Sequence, residues 1–169
     1  IDDLLRIRFT TSHPKEFTAR LLDTFEKIPK ITNQLHLPVQ SGSDKILAAM
    51  KRGYTAIEYK SIIRKLRSSR PNISITSDFI VGFPGEQDSD FEKTMDLIND
   101  VKFDGAFSFT YSDRPGTPAS SITEKIDEQV KLLRLRKLQN QIKIFATDYN
   151  HQLLHKNVAV SVEGQSKKD

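Results

Sequence analysis

Asp78 is the residue of this chain whose surroundings best suit ligand chemistry. It lies in the stretch Ser74-Ile75-Thr76-Ser77-Asp78-Phe79-Ile80-Val81-Gly82-Phe83-Pro84-Gly85-Glu86. With a period of two, Ile73, Ile75, Phe79, Val81 and Phe83 fall on one side of a strand, an ordinary core face. Thr76, Asp78, Ile80 and Gly82 fall on the other. A carboxylate there, followed at once by a Gly-Phe-Pro-Gly turn, suits a ligand site at the C-terminal end of a parallel strand. Because an unpaired carboxylate on that face would be costly, Asp78 needs a cation or hydroxyl partner.

The same two-faced pattern predicts three more strands, over 5–10, 34–40 and 105–112. Leu5, Ile7 and Phe9 alternate with Arg6, Arg8 and Thr10; Leu35, Leu37 and Val39 alternate with Gln34, His36 and Gln40; and the aromatics of 106–112 alternate with small hydroxylic residues. Arg8, His36 and Gln40 then share the polar face with Asp78. For His36 a satisfied structural role is the leading reading. Alternation alone also fits an antiparallel sheet with one solvated face. Helices in the gaps argue against that, since parallel strands need long crossovers. One is expected over 14–27, burying Phe17, Leu21, Leu22 and Phe25. Another follows the cap cluster Ser41-Gly42-Ser43-Asp44, and a third opens at the capping box Thr55-Ala56-Ile57-Glu58 and stops at Pro71. A fourth opens at Ser89-Asp90-Phe91-Glu92. A long helix over 127–155 carries the stripe Val130, Leu133, Leu138, Ile142, Phe145, Tyr149 and Leu153.

The 169 residues amount to about one domain. With 37% hydrophobic and 28% charged residues the composition is that of a soluble protein, and no apolar run approaches the roughly 20 residues of a membrane span. Cysteine is absent, so neither disulfides nor thiolate metal ligands arise within the chain. A net charge of +4 permits a nucleic-acid partner without requiring one. Four parallel strands do not close a barrel, and the alternation of 157–164 starts a strand with no partner. The chain therefore reads as an interior piece of a longer protein.

Several motifs carry a family resemblance. Gln40-Ser41-Gly42-Ser43 with Met50-Lys51-Arg52, followed by the 78–86 stretch, resembles the second half of a radical S-adenosylmethionine barrel. Thr11-Ser12-His13-Pro14, His36-Leu37-Pro38-Val39-Gln40 and Tyr111-Ser112-Asp113-Arg114-Pro115-Gly116-Thr117-Pro118-Ala119 resemble the methylthiotransferases of that superfamily, in particular the MiaB-type tRNA methylthiotransferases. The resemblance covers essentially the whole chain. It implies an α/β fold: 1–122 as the last four strands of an open six-stranded barrel, 123–156 as a long helix packed on it, and 157–169 as the start of a small TRAM-like RNA-binding β-barrel. It also implies a cytoplasmic, monomeric enzyme that adds a methylthio group to carbon 2 of a prenylated adenosine beside the tRNA anticodon. The alternatives are a ribosomal-protein or other tRNA adenosine substrate, or a non-catalytic scaffold.

The implied cofactors are S-adenosylmethionine and two 4Fe-4S clusters whose cysteines lie outside this chain, so the chain alone would be inactive and supplies no metal ligand. No catalytic residue is assigned. Gln40 at its strand end suits ribose hydroxyls, and Ser41 either shares that task or caps the next helix. Arg52 favours its helix C-terminus or reaches a cofactor carboxylate. Gly82, Pro84 and Gly85 let backbone pass close to an adenine, with Asp78 beside them. Glu86 caps the next helix. Arg8 contacts substrate or cofactor; Arg114 contacts RNA phosphate or anchors its loop; Lys167 and Lys168 add RNA contacts.

Overall fold

The structure, a computed structural model, describes residues 3–11, 13–158, 160, 162 and 164–166. Three strands, β1 (Gln34–His36), β2 (Ser74–Val81) and β3 (Gly105–Thr110), form a parallel sheet in the order β1-β2-β3. Gln34 pairs with Ser74, Thr76 with Gly105, and Val81 with Thr110. The crossovers are α2 (Asp44–Ala49) with α3 (Ala56–Ser69), and α4 (Asp88–Val101); α1 (Ala19–Lys27) precedes β1, and α5 (Glu128–His151) follows β3.

Helices cover one face only. Along β2 the odd-numbered Ile75, Ser77, Phe79 and Val81 are buried, while Ser74, Thr76, Asp78 and Ile80 are half exposed. Leu35, Ile75, Phe79 and Val81 meet Tyr59, Ile63 and Leu66 of α3 and Ile98 and Val101 of α4, in a core that extends to Phe25 and Phe103. The opposite face is open, and Phe107 and Phe109 stand on it 67% and 57% exposed.

Four expectations need correction. The 5–10 segment is an extended chain with one parallel rung, Ile7 to Ile31, held by Ile7 N–H to Lys30 O (2.8 Å) and Thr32 N–H to Ile7 O (2.9 Å). Ile7 and Phe9 pack on the core, but Leu5 is 85% exposed, and the ladder does not propagate. The helix expected over 14–27 is a 3-10 turn at Pro14–Glu16 followed by α1, because Thr18 adopts an extended conformation and caps Leu21 N–H at 3.3 Å. α4 starts two residues earlier than its expected Ser89 cap: Asp90 reaches back to the Gln87 amide (3.1 Å). On α5 the expected stripe fails in its first turns. Val130 and Leu133 are exposed, and Lys131 and Arg134 are buried instead, each 7% exposed. The strand expected over 157–164 falls partly outside the described residues, and Val158, Val160 and Val162 are exposed.

The capping box of α3 is as the sequence predicts, with Thr55 N–H to Glu58 (2.7 Å) and Glu58 N–H to Thr55 Oγ1 (3.3 Å). The turn after β1 docks on α4 through a buried polar cluster. Thr94 Oγ1 lies 3.2 Å from Ser41 Oγ and accepts from Gly42 N–H at 3.0 Å; Ser43 Oγ donates to Asp90 at 2.7 Å. Lys45 adds an ion pair to Asp90 at 3.3 Å. Gly42 is required here, because a Cβ on it would overlap the Lys93 carbonyl oxygen and lie 2.6 Å from Thr94 Cα.

Two outcomes follow. Gly42→Ala should cost about 1–3 kcal/mol, the range for over-packing a dense site, because the atoms it meets are backbone; an unchanged melting temperature would contradict this packing. Burial alone would raise the Asp90 carboxyl, but the Ser43 hydroxyl, Gln87 amide and Lys45 ammonium outweigh it and hold it below its ordinary 3.8. A carboxyl depressed in the folded state contributes stability that is full above its unfolded value and lost as pH falls through the folded one. Melting temperature should thus fall in acid below 3.8, and Asp90→Asn should be less stable at neutral pH with a shallower acid limb. An identical acid limb in the variant would remove Asp90 from this role.

Candidate active site at the strand ends

Pro38 has no N–H to give, and β1 departs from its ladder there. Pairing runs from His36 opposite Thr76, breaks, and resumes with Gln40 opposite Phe79, so β1 carries one extra residue over this interval. Ser77 fills the gap with its side chain, donating to Leu37 O (3.0 Å) and accepting from Val39 N–H (3.0 Å). The released carbonyls find other donors. Tyr59 OH reaches Leu37 O at 2.9 Å, Tyr54 OH reaches Val39 O at 2.8 Å, and Arg52 Nη2 reaches Pro38 O at 3.3 Å. Burial raises the Tyr59 and Tyr54 hydroxyl pKa values, which keeps both groups protonated and able to donate.

The bulge delivers Gln40 to the strand end with φ 76°, in the left-handed region that an ordinary side chain seldom adopts. Its backbone is fixed by Gln40 N–H to Asp78 O (2.9 Å) and Ile80 N–H to Gln40 O (3.0 Å). Its side-chain amide, half-buried, has no partner among the described residues. A strained residue with an uncommitted amide at a strand end is the kind of position where strain accompanies function.

Asp78 stands on the open face with His36 as its partner, Nε2 to Oδ1 3.4 Å. The other ring nitrogen of His36 lies 3.0 Å from Thr76 Oγ1, and the ring meets Phe107 edge-on at 6.3 Å. Thr76, His36, Asp78 and Phe107 thus form one polar-aromatic row leading toward the strand ends.

The turn after β2 is also buried. Gly82 (φ 72°) donates to Glu86 Oε1 at 2.9 Å, and Phe83 packs edge-on against Tyr111 at 5.0 Å. Gly85 N–H bonds Glu124 O at 2.8 Å and Gly85 O accepts from Lys45 at 2.8 Å. Burial raises the Glu86 carboxyl pKa, against the Gly82 amide and the Arg134 guanidinium, which favour its ionised form.

Of the residues singled out in the sequence, Gln40, Asp78, Gly82 and Pro84 converge at these strand ends. Ser41 is 1% exposed with its hydroxyl engaged by Thr94 and the Ser43 amide, so its side chain serves the packing of the turn. Arg52 sits behind the bulge, on Pro38 O and Tyr54 OH (3.2 Å), and stacks over the Tyr54 ring. Arg8 lines an open cavity of about 520 Å³ with Arg70, Gln34 and Ser74, where the strands begin rather than where they end. Arg114 is exposed in the loop after β3, and its guanidinium has no partner among the described residues. Lys125 organises that loop by bonding Asp113 (2.6 Å) and the carbonyls of Ala119 and Ser120. Lys167 and Lys168 lie outside the described residues. The sequence reading missed Ser77, Tyr54, Lys45, Lys131 and Arg134; the signal for the last two is the pair of acidic groups, Glu86 and Asp88, left without cations in the turn.

The donor set fits an adenosine-bearing zwitterion such as S-adenosylmethionine: an uncommitted amide at Gln40, a carboxylate at Asp78 and close-packed backbone at Gly82. It does not fit a cluster. The chain has no cysteine, and no group of three or more potential metal ligands occurs among the described residues.

Comparison with known proteins gives the family. The family model described as the Radical SAM superfamily matches residues 1–98. The tRNA-2-methylthio-N(6)-dimethylallyladenosine synthase of Nitrosomonas eutropha is 62% identical over all 169 residues, which are 38% of that relative's length. The synthases of the same name from Nitrosomonas europaea and Xylella fastidiosa strain M12 are 57% and 58% identical, over 100% and 97% of this chain and 38% and 33% of theirs. The chain thus spans little more than a third of the length of these relatives. The family model, matching more than half of the chain, places the protein in the radical SAM superfamily.

Proposed function

We propose that this chain is part of a tRNA methylthiotransferase that adds a methylthio group to carbon 2 of a prenylated adenosine beside the anticodon. The observation that carries the reading is identity of 56–62% along 97–100% of the chain to proteins bearing that enzyme's name. Residues 1–122 are the later strands of a six-stranded barrel, 123–156 the helix packed on it, and 157–169 the start of a TRAM-like domain. The covered and open faces of the sheet support this, since a barrel lumen needs one face free of helices.

S-adenosylmethionine supplies the methyl group and, with 4Fe-4S clusters held by cysteines beyond this chain, the radical chemistry. The residues here bind and orient. Gln40 holds ribose hydroxyls, Asp78 with His36 presents a carboxylate to the cofactor ammonium, and backbone at Gly82 to Pro84 lies against the adenine. Arg114 on its exposed loop meets a tRNA phosphate; a free guanidinium beside a proline-rich, Lys125-braced loop supports contact over anchoring. No described helix is long and apolar enough to cross a membrane, in keeping with a tRNA-modifying enzyme of the cytoplasm.

The direct test gives the intact, cluster-loaded protein prenylated tRNA and analyses the nucleosides by mass spectrometry. Methylthiolated prenyl-adenosine supports the reading; modification of an unprenylated adenosine or a ribosomal protein alone refutes it. Gln40→Gly separates strain from function. It should raise stability by about 1 kcal/mol by relieving the left-handed conformation while weakening S-adenosylmethionine binding. Equal cofactor affinity with higher stability would make Gln40 merely strained. Arg114→Ala should weaken tRNA binding, lower its log–log salt slope by about 0.7–0.9, and leave melting temperature and cofactor affinity unchanged. A lower melting temperature with an unchanged slope would instead make Arg114 an anchor.

A further inference from the structure

The Gly82–Glu86 turn is held from outside the sheet by a buried charge pair that the site itself does not require. Glu86 and Arg134 are 1% and 8% exposed, with Nη1 2.7 Å from Oε1. The same Nη1 donates to the Glu86 carbonyl at 3.2 Å, and Nη2 donates to Asp88 at 2.6 Å. Glu86 Oε1 also accepts from the Gly82 amide at 2.9 Å. One guanidinium on α5 therefore grips both ends of the turn, Glu86 through its backbone and Gly82 through the carboxylate. Lys131, three residues earlier on the same helix, lays its stem on Gly82 so closely that a Cβ there would overlap Lys131 Cγ. Its ammonium is anchored on Glu128 (2.6 Å) and Tyr111 O (3.3 Å).

Stability alone does not account for this arrangement. A buried ion pair is commonly replaced by apolar side chains of similar volume at no loss of stability. Arg134 Nε is moreover buried without a partner among the described residues, a cost the fold accepts. Leucines are at hand on the same helix, yet Leu132 and Leu133 face outward while Lys131 and Arg134 face in. Charges were kept at the one place where α5 meets the turn.

We propose that Arg134 and Lys131 are positioning residues, through which α5 sets the conformation of the Gly82–Glu86 turn and hence the backbone surface that receives the adenine of S-adenosylmethionine. The inference rests on the cofactor reading above. Neither side chain touches the ligand: Arg134 acts through Glu86 and the Gly82 amide, and Lys131 by confining Gly82.

The test uses the intact, cluster-loaded protein and two variants. Arg134→Lys keeps the charge but loses the fork that spans Glu86 and Asp88. The double variant Glu86→Gln with Arg134→Met removes both charges at similar volume. Measurements are melting temperature, iron content, hydrogen exchange of the 82–86 amides, tRNA affinity, and S-adenosylmethionine affinity by equilibrium dialysis. The expected result for the double variant is wild-type melting temperature, iron content and tRNA affinity. Its 82–86 amides should exchange faster, and its S-adenosylmethionine affinity should fall by about tenfold, the equivalent of one well-placed contact. Arg134→Lys should show a smaller loss of the same kind. Wild-type cofactor affinity in both variants overturns the proposal, as does a loss of affinity that follows melting temperature and is recovered on cooling, which marks a structural role. If the wild-type protein itself fails to bind S-adenosylmethionine, the cofactor reading falls, while amide exchange still reports whether Arg134 holds the turn.

Discussion

Between Leu37 and Gln40 the backbone of β1 must satisfy three carbonyls that its neighbour no longer serves, and much of the strand-end architecture follows from how it does so. A buried carbonyl without a donor costs about 1–3 kcal/mol, so the departure at Pro38 demands partners from elsewhere. Tyr59 comes from α3, Tyr54 and Arg52 from the segment after α2, and Ser77 from β2 itself. These donors pull three separate stretches of chain onto one short bulge. Gln40 is the result: the only way back into register is through a left-handed residue, fixed on both sides by backbone bonds to β2.

The sheet then divides labour between its faces. Its helix-covered face is apolar along β2 except for Ser77, whose hydroxyl is consumed by the bulge, and carries Ser108 and Thr110 on β3, where Gln139 of α5 donates to the Ser108 hydroxyl. The open face carries Thr76, His36 and Asp78 in bonded succession, bordered by two exposed phenylalanines. Both turns leaving this sheet are clamped by cations from other elements. Lys45 joins Asp90 to Gly85 O, linking the turn after β1 to the turn after β2, and Arg134 holds the latter from α5. Buried hydrogen bonds from several elements over-determine these turns, the condition under which a strained backbone persists.

What the sequence disclosed follows the range of the interactions involved. The two faces of β2, the Thr55–Glu58 capping box and the parallel crossovers depend on residues a few positions apart, and they were legible. The 5–10 segment was not: Ile7 and Phe9 alternate as a strand should, but whether a ladder propagates depends on its neighbour, which meets it only at Ile31. The inward turn of Lys131 and Arg134 was hidden for a related reason. Helical periodicity ranks Val130 and Leu133 as core, and only distant partners reverse that order: Glu86 and Asp88 for Arg134, and the Tyr111 carbonyl with the Gly82 turn for Lys131. The bond from Arg52 to the Pro38 carbonyl was hidden likewise, because that carbonyl becomes available only through the bulge at Pro38.

Partner accounting separates scaffold from site more sharply than residue type does. Lys and Arg together number 26 in this chain, and many are committed to the fold. Arg70 gathers the carbonyls of Phe25, Ile28 and Ile31 at the end of α1; Arg67 takes those of Val101 and Lys102 after α4; and Lys125 ties the loop after β3. Arg70 and Arg67 thereby supply donors at helix ends, where the last carbonyls have no partner within the helix. Gln40 and Arg114 are among the residues whose side chains no described residue uses. One is strained at a strand end, and the other is exposed on a braced loop beside it. An amide on a residue held in the left-handed region and a guanidinium on a loop braced by Lys125, both following C-terminal ends of one parallel sheet, are groups that the fold does not spend on its own backbone.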